Sequence, residues 1–435
     1  MHDQTTTALD KPTFAELLRV FGKIGLLSFG GPAGQIALMH KMLVDEKKWI
    51  DEPKYLHALN FCMLLPGPEA MQLATYVGWR LHGVPGGLAA GLLFVVPGAI
   101  VVLVLSMLYA AFGKLPIAEA LMTGVKAAVL AIVVEALLKI AKRGLKADAD
   151  RWLAALAFIG IFFLQVPFPI IVLGAAIFGY IRGASLHAPA VSPDTLVTVP
   201  LSATLKTAAL WLTIWIVPLL GIVAAFGKTH VLSQIAWFFS KLAGVTFGGA
   251  YAVLAFMGQD VVESYRWLKP AEMVDGLGLA ETTPGPLILV TEFVGFLAAF
   301  RNGGGNPWLM GTLGALVTLW ATFVPCLLWI FAGAPYVDRL HAEPRLKSAL
   351  AAVTAAVVGV ILNLTVWFAL NVLFRTVTET HVGPLRLLVP DPISLNPVAA
   401  TLAALAVWLM FWRHVAIIPT LAITGGLAMA WYGLA

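Results

Sequence analysis

Ser28-Phe29-Gly30-Gly31-Pro32-Ala33-Gly34-Gln35 and Pro66-Gly67-Pro68-Glu69 set hydrogen-bonding side chains beside glycine and proline in the middle of long apolar stretches. Proline removes an amide donor and glycine loosens a helix, so each stretch is expected to break at these points. Backbone groups freed in hydrocarbon are costly, and such a break persists only where it is buried against protein or lines a wet cavity. The helix that resumes after a break aims its amides at the gap, a donor set suited to an anion. The chemistry on offer is binding and passage rather than bond making.

Both motifs recur. Lys23-Ile-Gly-Leu-Leu-Ser28-Phe29-Gly30-Gly31 returns 218 positions later as Lys241-Leu-Ala-Gly-Val-Thr246-Phe247-Gly248-Gly249, and Pro66-Gly67-Pro68 returns at the same offset as Pro284-Gly285-Pro286. Met39 and Trp49 likewise recur as Met257 and Trp267. Beyond Arg301-Asn-Gly-Gly-Gly-Asn-Pro307 the offset becomes 228, with Val96-Pro97 matching Val324-Pro325 and Ala127-Ala128-Val129 matching Ala355-Ala356-Val357. One chain carries a duplicated pair of broken helices.

Four half-helix ends are expected to converge, near Gly31 to Gly34, Pro68 to Ala70, Gly249 to Tyr251 and Pro286 to Ile288. A helix end contributes about 0.3–1 kcal/mol to an anion, up to roughly 2 when partly buried. Moving an ion from water into a dry interior costs on the order of tens. The site must therefore be wet or carry cations. Lys23 and Lys241, five residues before their Ser/Thr-Phe-Gly-Gly turns, are the paired cation candidates; the alternative is that each snorkels to an interface. Arg80 and Lys126 are weaker candidates. Glu69 follows Pro-Gly-Pro, where it either takes up a proton coupled to transport or caps its own half-helix; Glu281 and Glu292 pose the same choice. Ser28, Thr246, Thr282 and Thr283 offer hydroxyls and Gln35 and Gln72 offer amides, donors that oxyanions accept, unless the hydroxyls bond back to the preceding turn. Glu135 and Lys139 read as a helix-face pair.

The elements that must hold these residues follow from composition. Of 435 residues 60% are hydrophobic and 12% charged, with a mean hydropathy of +0.89, too apolar for a soluble domain to conceal. The expected fold class is an all-α polytopic membrane protein: two inverted-topology repeats with broken helices and about thirteen hydrophobic segments. These lie near 14–40, 56–79, 87–112, 117–141, 152–165, 167–182, 205–226, 232–257, 272–300, 306–332, 346–374, 396–412 and 414–433. Residues 1–182 form the first repeat, 183–230 a linker plus an unpaired helix, and 231–435 the second repeat, inverted because an odd helix precedes it. Arg413-His414 interrupts the last stretch, which is read as two helices, and 152–182 is split in the same way around Pro167. The excess of Lys and Arg favours a cytoplasmic N-terminus, with the loop bearing Lys41, Lys47, Lys48 and Lys54 as an exception. The polar start and lack of a small-residue cleavage site predict no removable signal peptide.

Several classes are disfavoured. Cys62 and Cys326 stand apart in apolar segments and read as packing residues rather than a disulfide, a redox pair or a metal site. His40, His57 and His82 are too scattered for metal ligands, so no metal and no cofactor is expected. A net charge of +5, spread over loops without an aromatic-basic stripe, does not point to nucleic acid.

The two Phe-Gly-Gly copies, with Pro-Ala-Gly-Gln after the first, and the turns Leu-Pro-Gly-Pro-Glu-Ala and Thr-Thr-Pro-Gly-Pro-Leu resemble the chromate ion transporter family, in its long two-domain form. The resemblance spans nearly the whole chain. It implies a multi-pass protein of the bacterial or archaeal cytoplasmic membrane that exports chromate and confers resistance to it, with sulfate as a competing analogue. Homo-oligomerisation stays open. The second copy departs from the first, with Gly-Gly-Ala-Tyr in place of Gly-Gly-Pro-Ala and Leu287 in place of Glu69, so the copies are not expected to play equal roles. The alternatives are a transporter of sulfate or another small solute on the same frame and, third, a membrane-embedded enzyme or sensor, for which no redox pair, haem pattern or nucleotide loop is found.

Overall fold

The interruptions expected from glycine and proline appear in the computed structural model, which describes residues 12–29, 31–184, 200–245, 250–336 and 343–434. Helix α1 (Phe14–Leu27) starts from a Thr13–Glu16 capping box and stops before Ser28, and α2 (Gly31–His40) resumes and widens into a π turn at Lys41–Glu46. Helix α3 (Glu52–Leu64) is capped by Asp51 and ends at the first proline turn, after which α4 (Glu69–Phe112) begins. Helix α4 is itself a hairpin: His82 and Gly83 leave helical geometry, Gly83 at φ 63°, and Pro85 follows in the first turn of the second limb. The limbs pack so closely that a Cβ on Gly78 would lie 2.3 Å from the Gly86 carbonyl oxygen. Then come α5 (Pro116–Gly144), α6 (Asp148–Phe162), α7 (Phe168–Gly183) and α8 (Leu201–Phe226).

The second set repeats this plan. Helices α9 (Val231–Val245) and α10 (Ala250–Gln259), the latter with a π turn at Asp260–Ser264, answer α1 and α2. Helix α11 (Pro270–Thr282) answers α3 with both bounds shifted by 218, and α12 (Val290–Asn302) and α13 (Pro307–Gly333) answer the two limbs of α4. The glycine-rich insertion is the longer connection between these two helices. Helix α14 (Pro344–Leu373) answers α5 at offset 228. Helices α15 (Pro397–Val407) and α16 (Ile417–Leu434) answer α6 and α7 at an offset of 249. Backbone torsions repeat as well. Among the described residues the non-glycine positions with positive φ are Lys48 and Arg266, 218 apart, and Gln165 and His414, 249 apart. The repeat thus extends beyond the register readable in the sequence.

The last change of offset marks an insertion that helical periodicity did not foretell. Strands β1 (Val377–Val382) and β2 (Leu385–Pro390) form an antiparallel hairpin across Gly383-Pro384 in an otherwise all-α chain. Arg386 anchors it: its amide donates to the Phe163 carbonyl at 2.8 Å, and its guanidinium reaches both carboxylate oxygens of Glu263, at 3.0 and 3.1 Å, on the π turn after α10. Arg386→Ala is expected to destabilise the protein by about 1–3 kcal/mol, because a buried pairing of this kind loses one partner. Arg386→Lys should recover part of the loss by keeping the charge without the two-armed contact. Thermal unfolding in detergent measures both.

The two sets exchange their ends. Helices α6 and α7 of the first set pack on α14 of the second, while α15 and α16 of the second pack on α5 of the first. Small residues permit these approaches: a Cβ on Gly359 would sit 2.0 Å from the Ala154 carbonyl oxygen, and one on Gly124 2.2 Å from that of Thr424. Among the described residues five helices, Glu69–Phe112, Pro116–Gly144, Leu201–Phe226, Pro307–Tyr336 and Pro344–Leu373, are long and apolar enough to cross a bilayer. The outer surface is studded with exposed Leu, Ile, Phe and Trp, such as Leu205, Leu220 and Ile181. The chain is an all-α polytopic membrane protein.

Candidate functional site

The second proline turn is held by the first set. The Gly285 amide donates to the Ser28 carbonyl at 2.8 Å, and the Gly285 carbonyl accepts from the Gln35 side-chain amide at 2.6 Å. Both polar backbone groups of the turn's glycine are thus satisfied by the broken helix α1–α2, one through its backbone and one through a side chain. Gly98 of α4 closes the other side, its Cα 3.4 Å from where a Gly285 Cβ would be. Two further groups reach this junction. The Tyr251 hydroxyl donates to Glu281 Oε1 at 2.9 Å and lies 3.5 Å from the position a Cβ on Gly31 would take.

The first proline turn meets the second set at the matching place. Gly67 has φ 118°, and a Cβ there would fall 2.7 Å from Cys326 Sγ and 2.9 Å from Gln72 Nε2. Cys326 is the counterpart of Gly98 at offset 228. Each turn therefore rests on the long helix of the opposite set, one on glycine and the other on cysteine. Gln72 Nε2 donates to the Pro66 carbonyl at 2.7 Å, closing the first turn from inside its own set. Gly67→Ala is expected to lose about 2 kcal/mol or more, since it adds a steric conflict to an unfavourable positive φ. Cys326→Gly in the same chain should return the part of the steric cost owed to the sulfur, leaving the Gln72 contact, and a melting series reads this as a non-additive pair.

Around these turns lie buried polar atoms without hydrogen-bond partners: Ser28 Oγ, Gln72 Oε1, Glu281 Oε2, Glu292 Oε2 and Thr322 Oγ1. Buried groups of this kind are rarely left unpaired in a folded protein; Ser28, Gln72 and Glu281 stand next to interruptions, whereas Glu292 and Thr322 lie within α12 and α13. Thr282 and Thr283 behave differently, both donating to the Leu279 carbonyl, at 2.8 and 2.7 Å, so their hydroxyls bond back to the helix. Glu69 is half-buried and opens α4, where the end of the helix favours a carboxylate. Gly34 is exposed, and a Cβ there would crowd the Phe29 carbonyl.

The lysines are placed otherwise than the sequence pairing suggests. Lys23 is exposed on α1. Lys241 turns to Asp260 at 3.7 Å, above the rings of Phe238 and Phe256. Neither joins Ser28, Gln35 and Gly285. Lys126 is paired with Asp275 at 3.0 Å. Gly30, Thr246, Gly248 and Gly249 lie outside the described residues. Tyr251, expected only as part of a half-helix end, joins through its hydroxyl, and Asp275, Gly98 and Cys326 are not among the residues the sequence points to. The signal for the last two was present, since each directly follows a proline of the recurring Val-Pro pair.

Comparisons with known proteins follow the same outline. The family model described as chromate transporter matches residues 15–180 and 233–431, which takes in both helical sets and leaves out α8. A chromate transport protein of Pseudomonas aeruginosa is 33% identical over 430 residues, spanning 94% of this chain and 95% of the relative. One of Cupriavidus metallidurans is 30% identical over 358 residues, 80% and 81% of the two chains. An uncharacterised transporter of Bacillus subtilis, 29% identical over 150 residues, has 83% of its length matched by 34% of this chain. No solved structure matches. On the matched family model and on relatives that align almost end to end, this chain belongs to the chromate transporter family.

Proposed function

We propose that this protein exports chromate across the cytoplasmic membrane through a site between its two helical sets, with the N-terminus in the cytoplasm and the second set inverted relative to the first. The observation that carries this reading is the reciprocal seating of the proline turns, each against the other set's long helix, with Gln35 and Ser28 of one set holding Gly285 of the other. A binding site at such a junction changes its exposure when the sets move against each other. Family membership and the names of the relatives support chromate as the substrate, and the unpartnered Ser28 hydroxyl beside the second turn is able to donate to an oxyanion. Amides and hydroxyls discriminate by shape and hydrogen bonding, so sulfate, of like shape and charge, is expected to compete. Export is downhill in an inside-negative cell, where each elementary charge gains ~2.3 kcal/mol per 100 mV and a dianion about twice that.

Purified protein in lipid vesicles, with an imposed potential, tests this reading. Chromate should move toward the positive side at a rate that rises with the potential and falls with excess sulfate. Flux no greater than in protein-free vesicles would end the proposal, and sulfate flux untouched by chromate would favour the sulfate transporter.

A further inference from the structure

Of the ion pairs between described residues, Lys126–Asp275 is the one that joins the first set to the second. Lys126 lies on α5, roughly 15 Å from its start by helical rise, and Asp275 lies in the first half of α11, nine residues before Pro284 of the second proline turn. The carboxylate is gripped twice from the first set: Oδ1 faces Lys126 Nζ at 3.0 Å, and Oδ2 accepts from the Tyr109 hydroxyl of α4 at 2.7 Å. Asp275 is 6% exposed. The contact is a built one, because α5 and α11 cross where Gly278 admits Val125, with a Gly278 Cβ position 2.7 Å from Val125 Cγ1, one turn from Asp275 and one residue from Lys126. A second acid on α11, Glu272, is engaged elsewhere, by both Arg301 nitrogens at 2.9 Å. The Lys126 contact is an ion pair without hydrogen-bond geometry, since Asp275 Oδ1 has no hydrogen-bond partner, and an ammonium has three donors to place.

The two sets are not in the same arrangement around this joint. Helix α11 is buried from Met273 to Glu281, whereas its counterpart α3 is more open: Met63 is 49% exposed where Glu281 is 3%, and Leu56 is 43% exposed where Val274 is 0%. At the positions matching Asp275 and Lys126 stand His57 and Thr354, and Thr354 bonds to its own helix through the Leu350 carbonyl. The ion pair thus belongs to one side of the molecule, the side on which the broken helix is packed in.

We propose that Lys126 is a second contact for the transported dianion and that Asp275 is its stand-in: a tetrahedral oxyanion arriving at the joint takes Asp275's place on Lys126, frees α11 from α5, and so opens the closed side. This rests on the oxyanion-transport reading above. It also explains how a site whose proline turns carry no cation among the described residues engages a doubly charged ion. The cation is present but occupied until the substrate displaces its partner, which ties opening to substrate.

Asp275→Asn, Lys126→Met and the double variant test the proposal by chromate and sulfate binding, read as thermal shift and isothermal titration, alongside vesicle flux. Removing the competitor should tighten oxyanion binding at least threefold in Asp275→Asn while slowing flux, because nothing recloses α11. Removing the cation should weaken binding at least tenfold in Lys126→Met and in the double variant, which carries no unpaired charge and so reads the cation's role even if a single variant fails to fold. Binding and flux within twofold of wild type in the double variant would overturn the proposal and leave the pair a structural clasp. Wild-type protein that binds chromate through Lys126 yet passes none would overturn the transport reading and not this one. Absence of oxyanion binding in the wild type would overturn both.

Discussion

Gly98→Ala should abolish transport and lower stability by about 3 kcal/mol or more, the upper range of overpacking costs. A Cβ at this position would lie 2.1 Å from the Pro284 carbonyl oxygen and 2.6 Å from Leu289 Cδ1. The first of these is backbone, and the turn that carries it is fixed on its other side by Ser28 and Gln35. Relief therefore requires the second proline turn to move away from α4, which breaks the seating on which the proposed site depends. Gly221→Ala makes a useful contrast: that glycine lies within α8 with open space around its Cβ position, and the change should be neutral or slightly stabilising through helix propensity. Detergent melting curves and vesicle flux for the two variants separate local steric conflict from a general effect of adding a methyl group. Equal behaviour of the pair would show that the α4 contact does not constrain the turn.

Much of this arrangement could be read from residue order, because the features concerned are local. Clustered proline and glycine break a helix locally, so the ends of α1 at Leu27 and of α3 at Leu64 follow from Gly30-Gly31 and Pro66-Gly67-Pro68, while the single prolines Pro97, Pro218 and Pro325 stay within their helices. The split of 152–182 and of 396–433 into two helices each also holds, with Gln165 and His414 at the same φ of 52° in the two connections. What escaped is the choice of partner. Nothing in the periodicity of α6 and α7 says that they pack on α14 rather than on their own set, since lipid-facing and protein-facing residues are alike apolar. The same reason hid Lys126–Asp275, two charges 149 positions apart in chain order that become visible as a pair only when α5 crosses α11. Lys23 and Lys241 show the converse case. Their spacing from the turns is matched, but a side chain five residues before a break points according to helical phase, and α1 turns Lys23 outward. The β-hairpin lies in a stretch too short and too polar to read as a span, where threonine at every second position, Thr376, Thr378 and Thr380, carries the strand signal.

Gln35→Leu is expected to cut transport at least tenfold while leaving a folded protein. The substitution keeps size and removes the one side-chain donor to the Gly285 carbonyl, a buried 2.6 Å bond between the two sets. Leaving such an acceptor unpaired costs about 1–3 kcal/mol, a loss the interlocked helices α5, α6, α7 and α14 to α16 should survive. The effect on function is larger than on stability because the bond holds a turn in register rather than a core together. Gln72→Leu provides the comparison, since Gln72 donates to Pro66 within its own set. If register between the sets governs passage, loss of Gln35 should slow flux more than loss of Gln72 at similar melting temperatures. Gln35→Glu should be worse than either, because a carboxylate oxygen would then face the Gly285 carbonyl oxygen where a donor now stands. Flux in Gln35→Leu equal to wild type would mean that the backbone bond from Gly285 to Ser28 suffices, and the weight of the interface would then rest on α4 and Gly98.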